Sequence, residues 1–216
     1  MIEAIKSQWP HRVTMHIVVM TRIMPSHSLG GMQKQTMDLC NGFIDAGHDV
    51  TVITTSRLDG LESENSGGVE ILYLKGCKPG QYSRKWYSLC RAKIRQIHQK
   101  HPIDVIHSQS MGAISVIKWA KQKSIPIVST WHGTSLTEIS TFLASTSYHP
   151  RYWHWLLIMP ATMLLRYFTT DLPMRRASKK ITLVSPTLEP HMKFFAQHKV
   201  VIIPNGIELP LLTSKP

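Results

Sequence analysis

Short apolar runs alternate with amphipathic segments along most of this chain. The first run, RVTMHIVVM over residues 12–20, is rich in β-branched and apolar side chains, as expected of a strand buried on both faces. A loop with Pro25 and a Gly30-Gly31 pair follows, and apolar positions over residues 32–46 then recur at helical spacing. The run DVTVITT over residues 49–55 predicts a second strand. Together these segments predict a βαβ unit.

Later segments repeat this alternation with different lengths. The predicted strands cover residues 69–74, 104–108, 125–131, 180–184 and 199–203, and the predicted helices cover residues 83–99, 111–123, 173–179 and 186–197. Strands that alternate with helices indicate a mostly parallel sheet with helices on both faces. We therefore predict one α/β domain, a Rossmann-like three-layer α/β/α fold, over residues 1–206. A long aromatic and basic stretch over residues 134–171 interrupts the alternation and is predicted to be an insertion.

The composition narrows the class of protein. The chain has 216 residues with 25 Lys and Arg against 13 Asp and Glu, and the resulting net charge of +12 favours an acidic partner. Three cysteines without a close CxxC pair disfavour a disulfide framework and a cysteine metal site, so a reducing compartment is expected. The first ten residues lack a sustained apolar run, and no run of about 18 apolar residues occurs anywhere. We therefore expect a cytoplasmic protein.

Ligands of open α/β sheets bind beyond the carboxyl ends of the strands, so the loops after the strands are the candidate site. The Gly30-Gly31 pair opens a predicted helix, whose N-terminus suits phosphate, although a tight connection without a ligand explains the pair equally well. His132 follows a predicted strand and precedes Gly133-Thr134 and Glu138. A histidine there can act as a base or hydrogen-bond partner, although an isolated histidine is more often structural.

Two further strand ends carry polar residues. His107 begins the segment HSQS, which could add polar contacts to the same crevice, although capping of the next helix by Ser108 or Ser110 is a sufficient explanation. Capping also explains Ser185. The chain lacks GxGxxG, Walker A, GxSxG and HExxH motifs, which argues against dinucleotide oxidoreduction, P-loop hydrolysis, serine hydrolysis and zinc chemistry. We expect no metal and no cofactor.

Six motifs occur in order along nearly the whole chain. They are Gly30-Gly31-Met32, AGHDVTVIT over residues 46–54, DVIH over 104–107, TWHGT over 130–134, RASKKITLVS over 176–185 and IPNGI over 203–207. In this order they resemble the N-terminal, acceptor-binding half of a retaining glycosyltransferase of family 4, which has the two-domain GT-B fold.

This resemblance implies transfer of a sugar from a nucleotide-sugar donor to an acceptor, in glycan or lipopolysaccharide-type biosynthesis, with the acceptor bound mainly by this domain. It implies that Gly30 and Gly31 lie beside the donor diphosphate and that His132 is catalytic and faces the reacting sugar. The other predicted substrate or phosphate contacts are Met32, His107, Gly133, Thr134, Glu138 and Ser185. Asn205-Gly206 is the predicted interdomain hinge.

The sequence also departs from the family pattern near its end. The family's donor domain, with a Glu-x7-Glu motif and a basic residue for the diphosphate, should follow Asn205-Gly206, but only residues 207–216 remain and Glu208 replaces the usual Asp. We expect residues 207–216 to begin the interdomain linker, with the C-terminal donor domain absent from this chain and supplied in cis or in trans. Because that domain stabilises the leaving diphosphate, we expect little or no activity of the isolated chain.

Basic residues cluster in two segments. One is Arg84, Lys85, Arg91, Lys93, Arg95 and Lys100; the other follows the aromatic segment 148–155 and comprises Arg166, Arg175, Arg176, Lys179 and Lys180. Basic and aromatic residues together suit an anionic membrane surface, here the inner face of the membrane, although a solvated helix face explains them equally well. The alternative function is a non-catalytic binding module or partner subunit that contacts an anionic membrane or polyanion. The absence of nucleic-acid-binding motifs argues against nucleic acid.

Overall fold

Strands and helices alternate along the chain as the sequence predicts. The computed structural model describes residues 14–145, 153–196 and 199–206. The strands are β1 (His16–Met20), β2 (Asp49–Thr55), β3 (Ser63–Ser66), β4 (Val69–Leu74), β5 (Val105–Gln109), β6 (Ile127–Trp131), β7 (Lys180–Leu183) and β8 (Val200–Ile202). The helices are α1 (Gly31–Asp45), α2 (Arg84–Lys100), α3 (Ile117–Gln122), α4 (Ser135–Ser145), α5 (Trp153–Arg166), α6 (Leu172–Ala177) and α7 (Glu189–Ala196).

One sheet contains all eight described strands, in the order β3-β4-β2-β1-β5-β6-β7-β8. Every neighbouring pair is parallel except β3 and β4, which are antiparallel. Since β1 lies between β2 and β5, all five of its residues are buried. The predicted Rossmann-like α/β fold is therefore confirmed. The sequence did not predict β3, because its four residues, SENS, are all polar.

One face of the sheet carries the larger core. Helix α2 packs there through Trp86, Cys90 and Ile94, whose spacing places them on one side of a helix. The Ser83 hydroxyl oxygen caps this helix by accepting a hydrogen bond from the Trp86 backbone N–H at 3.1 Å. Because Trp86, Cys90 and Ile94 face the core, the opposite side of α2 is exposed and carries Arg84, Lys85, Arg91 and Arg95.

The opposite face is covered unevenly. Helix α1 packs Cys40 and Phe43 over the half of the sheet that contains β1, β2 and β4. Over β5 to β7, the same face forms a groove of about 480 Å³, whose floor includes Val128 and Thr182. The end of the described chain, at Asn205 and Gly206, lies along this groove. Half of one sheet face is thus left open.

The predicted insertion over residues 134–171 forms α4, α5 and a π-helical turn at Tyr167–Asp171. Helix α5 is apolar on nearly all sides and contains Pro160. Within the described parts of the chain, no helix is both long and apolar enough to cross a membrane. Residues 146–152, which hold most of the predicted aromatic segment, lie outside the described residues, as do residues 1–13 and the predicted linker at 207–216.

One basic residue departs from its predicted place. The sequence predicts that Arg175 faces an anionic surface, but this residue is 1% exposed. Its Nη1 donates to the Tyr167 hydroxyl at 3.2 Å, and its Nη2 donates to the Met192 carbonyl at 2.6 Å. The expectation is wrong for Arg175, because internal acceptors hold its guanidinium away from solvent.

Candidate active site

A crevice of about 940 Å³ opens at the carboxyl ends of β1, β5 and β6, where ligands of parallel sheets bind. Four of the predicted site residues line it, namely Met32, His132, Gly133 and Glu138. Tyr82 and Tyr87, at and near the start of α2, form an aromatic wall of the crevice. Phe142 and Met163 from the insertion add apolar surface. A mixed polar and apolar lining of this kind is typical of small-molecule sites.

His132 follows β6 directly and is half-buried. Its Nε2 lies 3.1 Å from Oε1 of Gln109, the last residue of β5. Burial lowers the pKa of His132 below its ordinary value. The imidazole is therefore neutral at pH 7, and it stands at the crevice as a hydrogen-bonding group.

His107 lies deeper, two residues before Gln109 on the same face of β5. It is 5% exposed, and its Nε2 lies 3.1 Å from the Thr130 hydroxyl oxygen. Burial is the larger cause, and the nearby His132 the smaller cause, that lowers the pKa of His107 to about 4. His107 lines the open groove, whereas the crevice is lined by Gln109 one pleat further along the strand.

The glycine pair stands at the start of α1. Gly30 is the N-cap residue and Gly31 the first helical residue, and no side chain of the described chain caps this N-terminus. Met32, in the first turn, lines the crevice. The N–H groups and positive dipole end of a 15-residue helix are thus next to the crevice, where they favour an anionic group.

The HG motif passes directly into α4, and two side chains secure that turn. Thr134 and Thr137 cap each other, since the Thr134 hydroxyl oxygen accepts from the Thr137 N–H at 3.1 Å and the Thr137 hydroxyl oxygen accepts from the Thr134 N–H at 2.9 Å. Asp171, from the π-helical turn, accepts a hydrogen bond from the Ser135 backbone N–H at 2.8 Å. Thr134 is buried, so the structure places it as a cap.

Charged groups line the mouth of the crevice. Both oxygens of Glu138 accept from Arg166, at 3.1 and 3.2 Å, which joins α4 to α5. The guanidinium of Arg22 lies 5.8 Å from the ring centre of Tyr82, a cation–π distance. Beside them, the buried Ser135 hydroxyl has no hydrogen-bond partner among the described residues. A ligand with hydroxyl and anionic groups would find partners for both.

The remaining predicted residues lie elsewhere. Ser185 follows β7 and caps the short 3-10 turn Pro186–Leu188 by accepting from the Thr187 N–H at 3.3 Å. Asn205 and Gly206, the predicted hinge, line the open groove with His107. The structure does not bring these residues into the crevice, and their roles in substrate binding or hinge motion stay predictions.

Several residues of the crevice are not predicted from the sequence. Gln109 lies within the HSQS segment, and its strand-end position was the available signal. Arg22 follows β1 in the same way. Asp171 carried no signal, because it reaches the site from the far end of the insertion. Within the described ranges, no group of three or more His, Cys, Asp or Glu residues is arranged to hold a metal ion.

A parallel α/β sheet with a crevice at its strand ends defines a Rossmann-like ligand-binding domain. The profile of Glycosyltransferase Family 4 matches residues 29–210, which is most of the chain. The protein therefore belongs to glycosyltransferase family 4. No curated protein matches the sequence.

Several solved structures share this fold. Sucrose-phosphate synthase from Thermosynechococcus elongatus is 14% identical with a TM-score of 0.66, and the match covers 90% of this chain and 49% of that one. The catalytic domain of starch synthase IV from Arabidopsis thaliana is 17% identical with a TM-score of 0.57, covering 90% and 52%. A glycosyltransferase from Rickettsia africae is 16% identical with a TM-score of 0.54, covering 90% and 44%. The chain spans about half the length of these proteins.

Proposed function

We propose that this chain binds the sugar acceptor in a glycosyltransferase and contributes His132 to sugar transfer from a nucleotide-sugar donor. The crevice carries this proposal, because it combines the half-buried His132 with the Glu138–Arg166 pair, Arg22 and aromatic walls. Membership of the family supports transfer as the reaction. The starch synthase structure, described as bound to ADP and acarbose, supports a nucleotide and a saccharide as the ligand types.

The proposed chemistry uses the groups at the crevice in two ways. The neutral His132 hydrogen-bonds a hydroxyl of the reacting sugar and holds it in place. The N-terminus of α1, at Gly30-Gly31, together with Arg22 favours the negative charge that develops on the leaving diphosphate. The nucleotide-sugar is a substrate, and the proposal assigns no role to a metal or cofactor.

We further propose that a second, donor-binding domain packs against this one, in cis or in trans. Parallel sheets are normally covered on both faces, whereas the groove over β5 to β7 is open. Asn205 and Gly206 lie along that groove, so a domain that follows or joins them would meet it. The matched structures are about twice as long as the shared region, which leaves them room for such a domain.

A radiolabelled transfer assay tests this function. The chain is incubated with a panel of nucleotide-sugar donors and methyl glycoside acceptors, alone and together with a donor-binding domain from a family member. We expect product only in the combined reaction and a loss of at least tenfold for His132→Ala, as is usual for a group that acts at the reacting centre. Ordinary turnover by the chain alone would contradict the need for a second domain, and equal turnover by His132→Ala would contradict the role of His132.

We also propose that the chain contacts the anionic inner face of the membrane peripherally. Helix α5 exposes Trp155, Ile158 and Leu165 at 47%, 49% and 63%, and their spacing places them along one outward side. A continuous exposed apolar stripe marks an interaction surface. Arg166, at the end of α5, lines the crevice, so a cation and the end of the apolar stripe border the proposed acceptor site.

Co-sedimentation with vesicles tests the membrane contact. Vesicles of phosphatidylcholine with and without phosphatidylglycerol are compared at low and high salt, since attraction of Lys and Arg to anionic lipid is screened by salt. Leu165→Asp should abolish binding, whereas Leu58→Asp should not, because Leu58 is even more exposed, at 91%, but lies outside α5. If DNA binds as well as the vesicles do and no sugar binds, the alternative of a polyanion-binding module is favoured.

A further inference from the structure

Gln109 stands between the proposed catalytic histidine and helix α1. Its side-chain oxygen lies 3.1 Å from Nε2 of His132, and its side-chain nitrogen donates to Oε1 of Gln35 on α1 at 3.4 Å. Gln109 is 1% exposed, so water does not compete for these groups. The amide thus connects the end of β6 to the helix that begins at the glycine pair.

This arrangement determines which nitrogen of His132 carries the proton. A carbonyl oxygen can only accept, so the nitrogen that faces it must donate. No described residue forms a hydrogen bond with Nδ1 of His132. In a neutral imidazole one nitrogen donates and the other accepts, so a proton on Nε2 leaves Nδ1 as the acceptor.

We infer that Gln109 is a positioning residue that holds His132 as the Nε2–H tautomer, so that Nδ1 accepts a hydrogen bond from a sugar hydroxyl in the crevice. The identity of that hydroxyl donor rests on the proposed function. The tautomer itself rests only on the geometry at Gln109. In many enzymes, a hydrogen-bond partner of this kind fixes the tautomer and orientation of a functional histidine.

Burial makes the contact sensitive to substitution. Removing the Gln109 amide leaves the Nε2–H without its acceptor in a position where water has little access. Replacing the amide by a carboxylate keeps an acceptor of the same shape and adds a negative charge beside the ring. His107 is the titratable group that lies near His132 on this face, and its Nε2 is occupied by Thr130.

Nitrogen-15 NMR of the histidine rings in the full chain tests the inference. In the wild type we expect the proton of His132 on Nε2 and slow exchange of that proton with water. Gln109→Met should lose the slow exchange, and Gln109→Glu should keep it while raising the pKa of His132 by about 1–3, as a carboxylate at contact distance does. Thr130→Val is the matched control, because it removes the partner of His107 and should leave His132 unchanged.

The outcomes separate clearly. A wild-type proton on Nδ1, or unchanged exchange in Gln109→Met, would overturn the inference. If Gln109→Met does not fold, the wild-type exchange rate decides, because a purely space-filling Gln109 predicts that the Nε2 proton of His132 exchanges rapidly with water. Binding of methyl glycosides should weaken about tenfold in Gln109→Met, the effect of losing one hydrogen bond. Absence of sugar binding in the wild type would count against the proposed function and leave the tautomer result standing.

Discussion

Replacing Asp171 by alanine should destabilise the domain more than any surface substitution. Asp171 is fully buried and accepts two hydrogen bonds, from the Ser135 N–H at 2.8 Å and from the Thr170 hydroxyl at 3.2 Å. It also stands at the N-terminus of α4, where the helix dipole favours a negative charge. The substitution therefore removes the contact that ties the insertion to the turn after His132.

The magnitude follows from these contacts. Hydrogen bonds to a charged group contribute about 1.5–3 kcal/mol, and the helix dipole adds about 0.3–1 kcal/mol. We expect Asp171→Ala to lower the free energy of unfolding by about 2–4 kcal/mol. Asp171→Asn keeps an acceptor oxygen but loses the charge, so it should cost about half as much.

Urea unfolding followed by tryptophan fluorescence and circular dichroism measures this loss. Asp38→Asn is the control, because its partner Lys34 lies on the exposed side of α1 and such pairs contribute less than about 1 kcal/mol. Equal unfolding midpoints for Asp171→Ala and Asp38→Asn would refute the assignment of Asp171 as the buried anchor of α4.

Two further predictions concern His107 and the glycines. The folded-state pKa of His107, about 4, lies below the ordinary 6.5, so the unfolded chain binds a proton that the folded chain excludes. Stability should fall as the pH drops from 6.5 towards 4, by up to about 3 kcal/mol, and urea titrations of His107→Gln should show a weaker pH dependence. Gly112→Ala should lower the free energy of unfolding by about 1–3 kcal/mol, because the new Cβ would lie 2.2 Å from the Met20 carbonyl oxygen. Gly42→Ala should stabilise the domain slightly, because Gly42 lies inside α1 with open space around it. Thermal unfolding of the two variants and the wild type measures both effects.

The sheet was predictable because its strands are buried, β-branched runs, which stand out from the helices in sequence. The exact type and boundaries of the helices are harder to predict from the sequence. The helix predicted over residues 111–123 is a 3-10 turn at Ile114–Val116 followed by the short α3, since Ser110 takes a positive φ of 51° and Gly112 packs against the Met20 backbone. The helices of the insertion are not predicted from the sequence, because a nearly all-apolar pattern such as that of α5 lacks the polar face that marks a surface helix.

In the candidate site, too, some residues are predictable from the sequence and others are not. His132 and Gly133 are predicted because they follow a strand, and Met32 is predicted from the family motif; all three line the crevice. Gln109 and Asp171 could not be assigned, because their partners lie 23 and 36 residues away in sequence and meet them only in the folded chain. The sequence predicts His107 in the crevice, but this residue lies two positions before the end of β5 and is buried within the sheet, next to Val128 of β6.

Protein-observed NMR with methyl glycosides tests the central proposal most directly. The chain is titrated with glycosides of glucose, galactose, mannose and N-acetylglucosamine, and the shifts are mapped onto the structure. We predict that at least one sugar perturbs the crevice residues His132, Gly133 and Thr137, and that His132→Ala weakens its binding. Perturbation confined to the open groove at Val128 and Thr182, or equal binding by His132→Ala, would contradict the assignment of the crevice as the acceptor site.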